Sequence, residues 1–195
     1  NPGQIYINTT RILNFDGTDL EEFTRGAFVG MKQIMELTSL LKNEIPGFEN
    51  CFILSINPTI GIRETRRFSG VKRLTIEDVV KERIPLDTIA LGSYKIDIHS
   101  GLDDSTKLTD LEGPYGIPLG CIISNEIDGL LFGGRHISMD ALALGSVRVM
   151  PTCMAIGEAA GVCAALAVEC GVLPSQVPYE EVVNQLKKDK AILSI

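Results

Sequence analysis

Nowhere in its 195 residues does the chain carry a G-x-G-x-x-G or a G-x-x-x-x-G-K-[ST]. Neither glycine-rich loop that cradles phosphates at a strand–turn–helix is therefore present. Histidine is scarce. The two residues, His99 and His136, cannot build a zinc site alone, and no Cys/His spacing suits one, so no metal is expected. The five cysteines, Cys51, Cys121, Cys153, Cys163 and Cys170, are odd in number and hold no C-x-x-C pair. In apolar surroundings they read as core thiols of a reducing compartment, the basis for expecting a cytoplasmic protein. Positive charge is in deficit, 18 Lys and Arg against 25 Asp and Glu, for a net charge of −7. That balance argues against nucleic acid or an anionic membrane as main partner, while leaving room for a local basic pocket. No segment has the layout of a signal peptide or a transmembrane span. The longest apolar run, Cys153 to Cys170, is interrupted by Glu158, and its Gly157-x-x-x-Gly161 reads best as the small-residue face of a helix lying on a sheet.

What is present is the material of an ordinary globular core: 45% hydrophobic and 22% charged residues. The length allows one large domain or two small ones. Ile5 and Ile7 with Thr9-Thr10 predict a strand over Gln4–Leu13, and Asn14-Phe-Asp-Gly17 a turn. Thr18-Asp-Leu-Glu21 has the pattern of a capping box, and the apolar spacing that follows predicts a helix ending before Pro46-Gly47. Cys51–Ile56 reads as a buried strand, Thr59–Phe68 as a strand with a charged centre, and Thr75-Ile-Glu-Asp78 as the cap of a short helix. Alternation predicts a strand over Thr88–His99, then a polar loop from His99 to Gly113. A broken strand over Tyr115–Ser124 and a buried one over Leu130–Gly133 follow. Pro151 suits the first position of a helix running to about Cys170 and stopped by Gly171. A last helix, about Tyr179 to Lys188, turns Val182, Val183 and Leu186 inward. The class is mixed α and β.

Three segments hold the residue types that chemistry needs. In Gly61-Ile-Arg-Glu-Thr-Arg-Arg67, strand alternation puts Arg63, Thr65 and Arg67 on one face and Glu64 with Arg66 on the other. Arg63 is a candidate for presentation to a cofactor or substrate anion, and Arg66 for substrate binding or for pairing with Glu64; a solvated, ion-paired sheet face is the plainer alternative. Asp97-Ile-His99 could tune His99 as a general acid–base, or be a structural hydrogen bond at a strand end. Gly133-Gly-Arg135 followed by the Pro151 helix offers close backbone approach and free N–H groups to an electron-rich ligand, with Arg135 and Arg148 on either side. His136 either lines that pocket or fills it.

At these segments the chain resembles the FAD-dependent oxidoreductases of the two-dinucleotide-fold type. That family shows G-[IV]-R-E-[ST]-R-R, D-x-I-A…Y-x-I-D-I-H, Y-x-I-P, N-L-L-x-A-G-R-x-I-S and A-x-G-S-x-R-V-M-x-T-C-x-A-x-G-x-A-A-G-x-A-A-A-L-A. Matching blocks stand here in order at Gly61–Arg67, Asp87–His99, Tyr115–Pro118, Gly129–Ser138 and Ala143–Ala167. Gly133 replaces the usual Ala, Glu158 stands where Gln is common, and the family's G-x-G-x-x-G grip on the ADP part of FAD is missing. The resemblance implies FAD as cofactor, with Gly134 and Arg135 near the diphosphate and ribitol. It further places Val149, Met150 and Thr152 by the flavin pyrimidine edge, where N–H groups and the helix dipole stabilise negative charge. Arg63 resembles the arginine that reaches toward flavin or substrate.

The expectation is thus a C-terminal fragment of an FAD-dependent oxidoreductase that moves a hydride from an organic small molecule to flavin. Residues 1–100 would be a substrate or cap portion containing sheet, and 101–195 the strand–helix remainder of the flavin domain. The start at Asn-Pro-Gly fits an excised piece, whose N-terminal FAD-binding region would be supplied in cis or in trans. The isolated piece would be inactive, and an exposed apolar flavin face would promote self-association. The alternatives are a non-catalytic structural or binding domain, or one subunit of a split flavoprotein.

Overall fold

The computed structural model describes residues 3–99 and 106–194, the side chains of His99 and Thr106 excepted. Packing divides these into two units: residues 3–65, and 66–99 together with 106–194. The division by packing falls at Thr65, and strands on both sides of residue 100 pair with one another.

The first unit is built on helix α1 (Leu20–Glu44). Its cap is Asp19 rather than Thr18: the Asp19 carboxylate accepts from the N–H groups of Glu21 and Glu22, both at 2.9 Å. Thr18 instead donates its N–H to Asp16 at 2.8 Å and belongs to the turn before the helix. On the inner face of α1 the small residues Gly26 and Gly30 are buried. Gln33 holds the Arg11 backbone twice, accepting from its N–H at 3.1 Å and donating to its carbonyl at 2.7 Å.

The strands predicted over Gln4–Leu13, Cys51–Ile56 and Thr59–Phe68 form no ladder among the described residues. Alternation marks a segment that extends; a ladder also needs a run of paired partner backbone, and the single bond from the Phe68 N–H to the His136 carbonyl does not make one. Phe52 and Leu54 are 75% and 66% exposed, so the 51–56 segment is not the buried strand that its apolar run predicts.

In the second unit the capping box forms as read. Thr75 and Asp78 satisfy each other's N–H groups and start helix α2 (Ile76–Val80). The strand predicted over Thr88–His99 is two strands, β1 (Thr88–Gly92) and β2 (Ile96–His99), because each finds a different partner. Strand β2 pairs antiparallel with β3 (Thr106–Thr109), and β1 with β4 (Tyr115–Pro118) across a bulge between Thr88 and Ala90. Strand β3 lies inside the stretch expected to be loop; residues 100–105 of that stretch lie outside the described residues. After β4 the chain turns through a short 3₁₀ segment (Leu119–Cys121), as the broken strand around Pro118 and Gly120 suggests.

Helix α3 (Ala141–Val147), capped by Asp140 at 2.7 Å, has no clear signal in the sequence, because Gly145 and Ser146 disguise it. Helix α4 (Met150–Cys170) takes Pro151 in its first turn and stops at Gly171. Helix α5 (Tyr179–Lys188) buries Val182, Val183 and Leu186 as read. The architecture is mixed α and β, with five α-helices and two two-stranded antiparallel sheets among the described residues.

Helix α4 is the spine of this unit. Thr152, Ile156, Ala159, Cys163 and Ala167 recur at helical spacing and are buried where α4 meets β1 and α5. It is also the one helix among the described residues long and apolar enough to cross a membrane, a test that core helices of this kind equally pass.

Candidate functional site

The segment ahead of Gly134 is held by single backbone links rather than a full strand. Leu131 bridges to Ile123, Phe132 donates to Ile122 at 2.8 Å, and Ser124 donates to Leu130 at 3.1 Å. Phe132 is buried, while Leu130 is exposed, so only part of the expected strand enters the core. Gly133 lies against α4: a Cβ there would stand 3.5 Å from the Cα of Gly157. Gly134 then turns the chain with φ of +88°, and nothing lies within 4 Å of where its Cβ would be. That combination, a left-handed backbone beside open space, is where glycine is favoured and where a ligand can reach main-chain atoms.

Arg135 is exposed and makes no ion pair among the described residues. Its charge acts on two neighbours. Burial first, and then Arg135, pulls the His136 imidazole below its usual range. Burial pushes the Cys153 thiol up, while Arg135 opposes that rise. The guanidinium therefore sits within electrostatic reach of both the loop and the first turn of α4. His136 is half-buried, its ring edge-on to Phe68 at 5.3 Å between centroids. Phe68 in turn stacks on Phe132 at 4.1 Å and 10°. The Phe68 N–H donates to the His136 carbonyl at 3.0 Å, so the aromatic group also fixes the course of the loop.

Helix α4 begins at the cap residue Val149 with no side chain bonded to its first turn and no acid in that turn. The N–H groups of Met150 and Thr152 thus carry the positive end of a 21-residue helix without a side-chain cap. Met150 is 80% exposed, whereas Thr152 is buried.

Arg148 is not the second flanking cation that its position suggests. It donates to the Asp97 carbonyl at 2.8 Å and to the Asp97 carboxylate at 3.2 Å, with both side chains largely buried. The pair ties β2 to the end of α3, immediately before α4 starts. Asp97 is therefore engaged with Arg148, and the His99 side chain lies outside the described residues. A second tie runs through Tyr115, whose hydroxyl donates to Ser146 Oγ at 2.8 Å; the Ser146 hydroxyl donates to the Tyr94 carbonyl. Burial pushes the Tyr115 phenol up to about 12.

The second unit thus contains Gly134, Arg135, His136, Val149, Met150 and Thr152, and the charge of Arg135 reaches both His136 and Cys153 in the first turn of α4. Arg66 belongs to the same unit and is exposed; Arg63 is an exposed residue of the first unit. The face argument for Arg63 and Arg66 loses its strand. Sequence spacing missed the Phe68–Phe132–His136 group, the Asp97–Arg148 tie and the Tyr115–Ser146 tie. Each joins residues far apart in the chain, and no local pattern signals them.

The donor set suits an anionic, phosphate-bearing cofactor: open glycine backbone, an exposed guanidinium and a helix N-terminus without a side-chain cap. In comparison with known proteins, the family model described as FAD dependent oxidoreductase matches residues 1–186. No curated protein and no solved structure matches the chain.

Proposed function

Since the chain belongs to the FAD dependent oxidoreductase family, whose cofactor is FAD, we propose that its second unit supplies the part of the site that meets the diphosphate and the flavin edge. When bound, FAD supplies acceptance of a hydride from an organic substrate. Gly134 and Arg135 receive the diphosphate–ribitol, the glycine by leaving its backbone open and the arginine by charge-assisted hydrogen bonds. Val149, Met150 and Thr152 bring the start of α4 to the electron-rich edge of the ring, where their N–H groups favour the reduced, negative form. The observation that carries this reading is the 21-residue α4, free of any side-chain cap and of acid in its first turn. Asp97 and Arg148 act as positioning residues, because they hold the chain one residue before the α4 cap.

His136, whose imidazole burial and then Arg135 pull below its usual range, and the exposed Arg66 are the candidates for substrate binding, with Arg63 and His99 as candidates for the reacting centre. Their chemistry favours an anionic or polyhydroxylated small molecule. The residues that grip the ADP part of FAD come from a polypeptide segment outside these 195 residues, in cis or in trans. The absence of G-x-G-x-x-G and the exposure of Met154 and Val168 on α4, 74% and 82%, support this. The five free thiols support a reducing, cytoplasmic setting.

Met150→Pro tests the reading. It deletes one N–H at a helix position that tolerates proline, after a Val149 that is already extended at ψ of 150°. A contribution of about 0.3–1 kcal/mol at a helix terminus corresponds to about 6–20 mV for a two-electron couple. An anaerobic redox titration of the intact FAD-loaded protein should show the variant's flavin potential more negative by that amount. An unchanged or more positive potential would place the flavin edge elsewhere.

A further inference from the structure

The second unit holds a cavity of about 280 Å³ between the 72–85 segment and β4. Its lining shares no residue with the Gly134 loop or the start of α4. Leu74, Pro85 and Pro118 give it apolar walls, while Lys72, Arg73 and Arg83 bring three cationic side chains. Two of these are balanced. Lys72 Nζ stands 2.8 Å from the Asp87 carboxylate, and Arg83 stands 2.7 Å from that of Asp78. Arg73 makes no ion pair among the described residues, so the rim of the cavity carries an unbalanced positive charge on a chain whose net charge is −7. The bond from Arg83 to Asp78 uses one of its five N–H donors. Asp78 is itself fixed by Thr75, so Arg83 is anchored rather than swinging freely.

We propose that this cavity binds a small organic anion, a carboxylate or phosphate carried on an apolar body about the size of one ring, with Arg73 meeting the charge. The size excludes anything approaching a dinucleotide, since sites for drug-sized ligands run from roughly 300 to 1,000 Å³. The apolar walls favour a ligand with a hydrocarbon or aromatic body over a bare inorganic ion. The planar guanidinium of Arg73 is suited to a two-oxygen contact with either head group. The net negative charge of the chain opposes any anion, which keeps the affinity modest. The site stands whether or not the flavin reading does, since none of its residues belongs to that site.

The test is calorimetric titration of the intact protein, purified with its FAD, with benzoate, phenyl phosphate and inorganic phosphate. The expected result is saturable binding of one aromatic anion with a Kd on the order of 1 mM. Inorganic phosphate should bind at least tenfold more weakly. Arg73→Gln should weaken the aromatic anion at least tenfold and Arg73→Lys less, with flavin absorbance unchanged in both. Preference for benzoate identifies a carboxylate ligand, and preference for phenyl phosphate a phosphate ester. Absence of saturable binding, equal binding of inorganic phosphate, or an Arg73→Gln titration like wild type would each overturn the proposal.

Discussion

Two neighbouring glycines should respond to alanine in opposite directions. At Gly133, which has no positive φ, an added Cβ would meet the Cα of Gly157 at 3.5 Å and the Cβ of Ala160 at 3.9 Å, both ordinary contacts. Gly133→Ala therefore costs nothing in the folded state and removes conformational freedom from the unfolded one, a stabilisation of about 0.4–1 kcal/mol. At Gly134 the space is open, but φ is +88°, where an L-residue is strained. Gly134→Ala should cost about 1–2 kcal/mol. Urea unfolding of the two variants should separate them by roughly 1.5–3 kcal/mol, the sum of those two ranges. The cofactor readout should follow the same order, with FAD retained by Gly133→Ala and weakened by Gly134→Ala. A Gly133→Ala protein less stable than wild type by more than about 1 kcal/mol would refute the packing argument. A neutral Gly134→Ala would refute the strained turn.

Three further outcomes follow from the same geometry. Tyr115→Phe leaves Ser146 without its buried donor and should cost about 1–1.5 kcal/mol in urea unfolding, without cavity effects. His136 is held below its usual range, chiefly by burial and then by Arg135. It therefore contributes stability that is full above about pH 6.5 and declines as the pH falls from there toward its folded pKa, because the unfolded chain takes up the proton first. Arg135→Gln should raise the His136 pKa measured by NMR, and a fall would contradict the assignment. Thiol labelling at pH 8 should reach the exposed Cys170 first. It should spare Cys121, whose thiol burial pushes up to about 12, until the chain unfolds.

How much of this was legible depends on the range over which each feature is specified. Caps and helices are local, so Thr75–Asp78, Pro151 at the head of α4, Gly171 at its end and the inward face of α5 could all be read from spacing. Ladders are not local. Ile5, Ile7, Phe52 and Leu54 have the β-propensity of strand residues, but no strand forms at them among the described residues. Thr106–Thr109, polar and unremarkable, becomes a strand because β2 lies beside it. The same holds at the site. Gly134 and Arg135 announce themselves by type and by their place before a proline-led helix. The ties just ahead of α4, Asp97 to Arg148 and Tyr115 to Ser146, join side chains across long stretches of chain and follow only from the packed structure.

The most direct test of the central claim is the affinity of the intact apoprotein for FAD, measured by titration with the flavin absorbance as signal, for wild type and Arg135→Gln. A charge-assisted hydrogen bond to phosphate is worth about 1.5–3 kcal/mol, and the exposure of Arg135 places it at the lower end. The variant should therefore bind FAD about tenfold more weakly, while Arg73→Gln binds it as wild type does. An Arg135→Gln protein with unchanged FAD affinity would contradict the assignment of this loop to the cofactor.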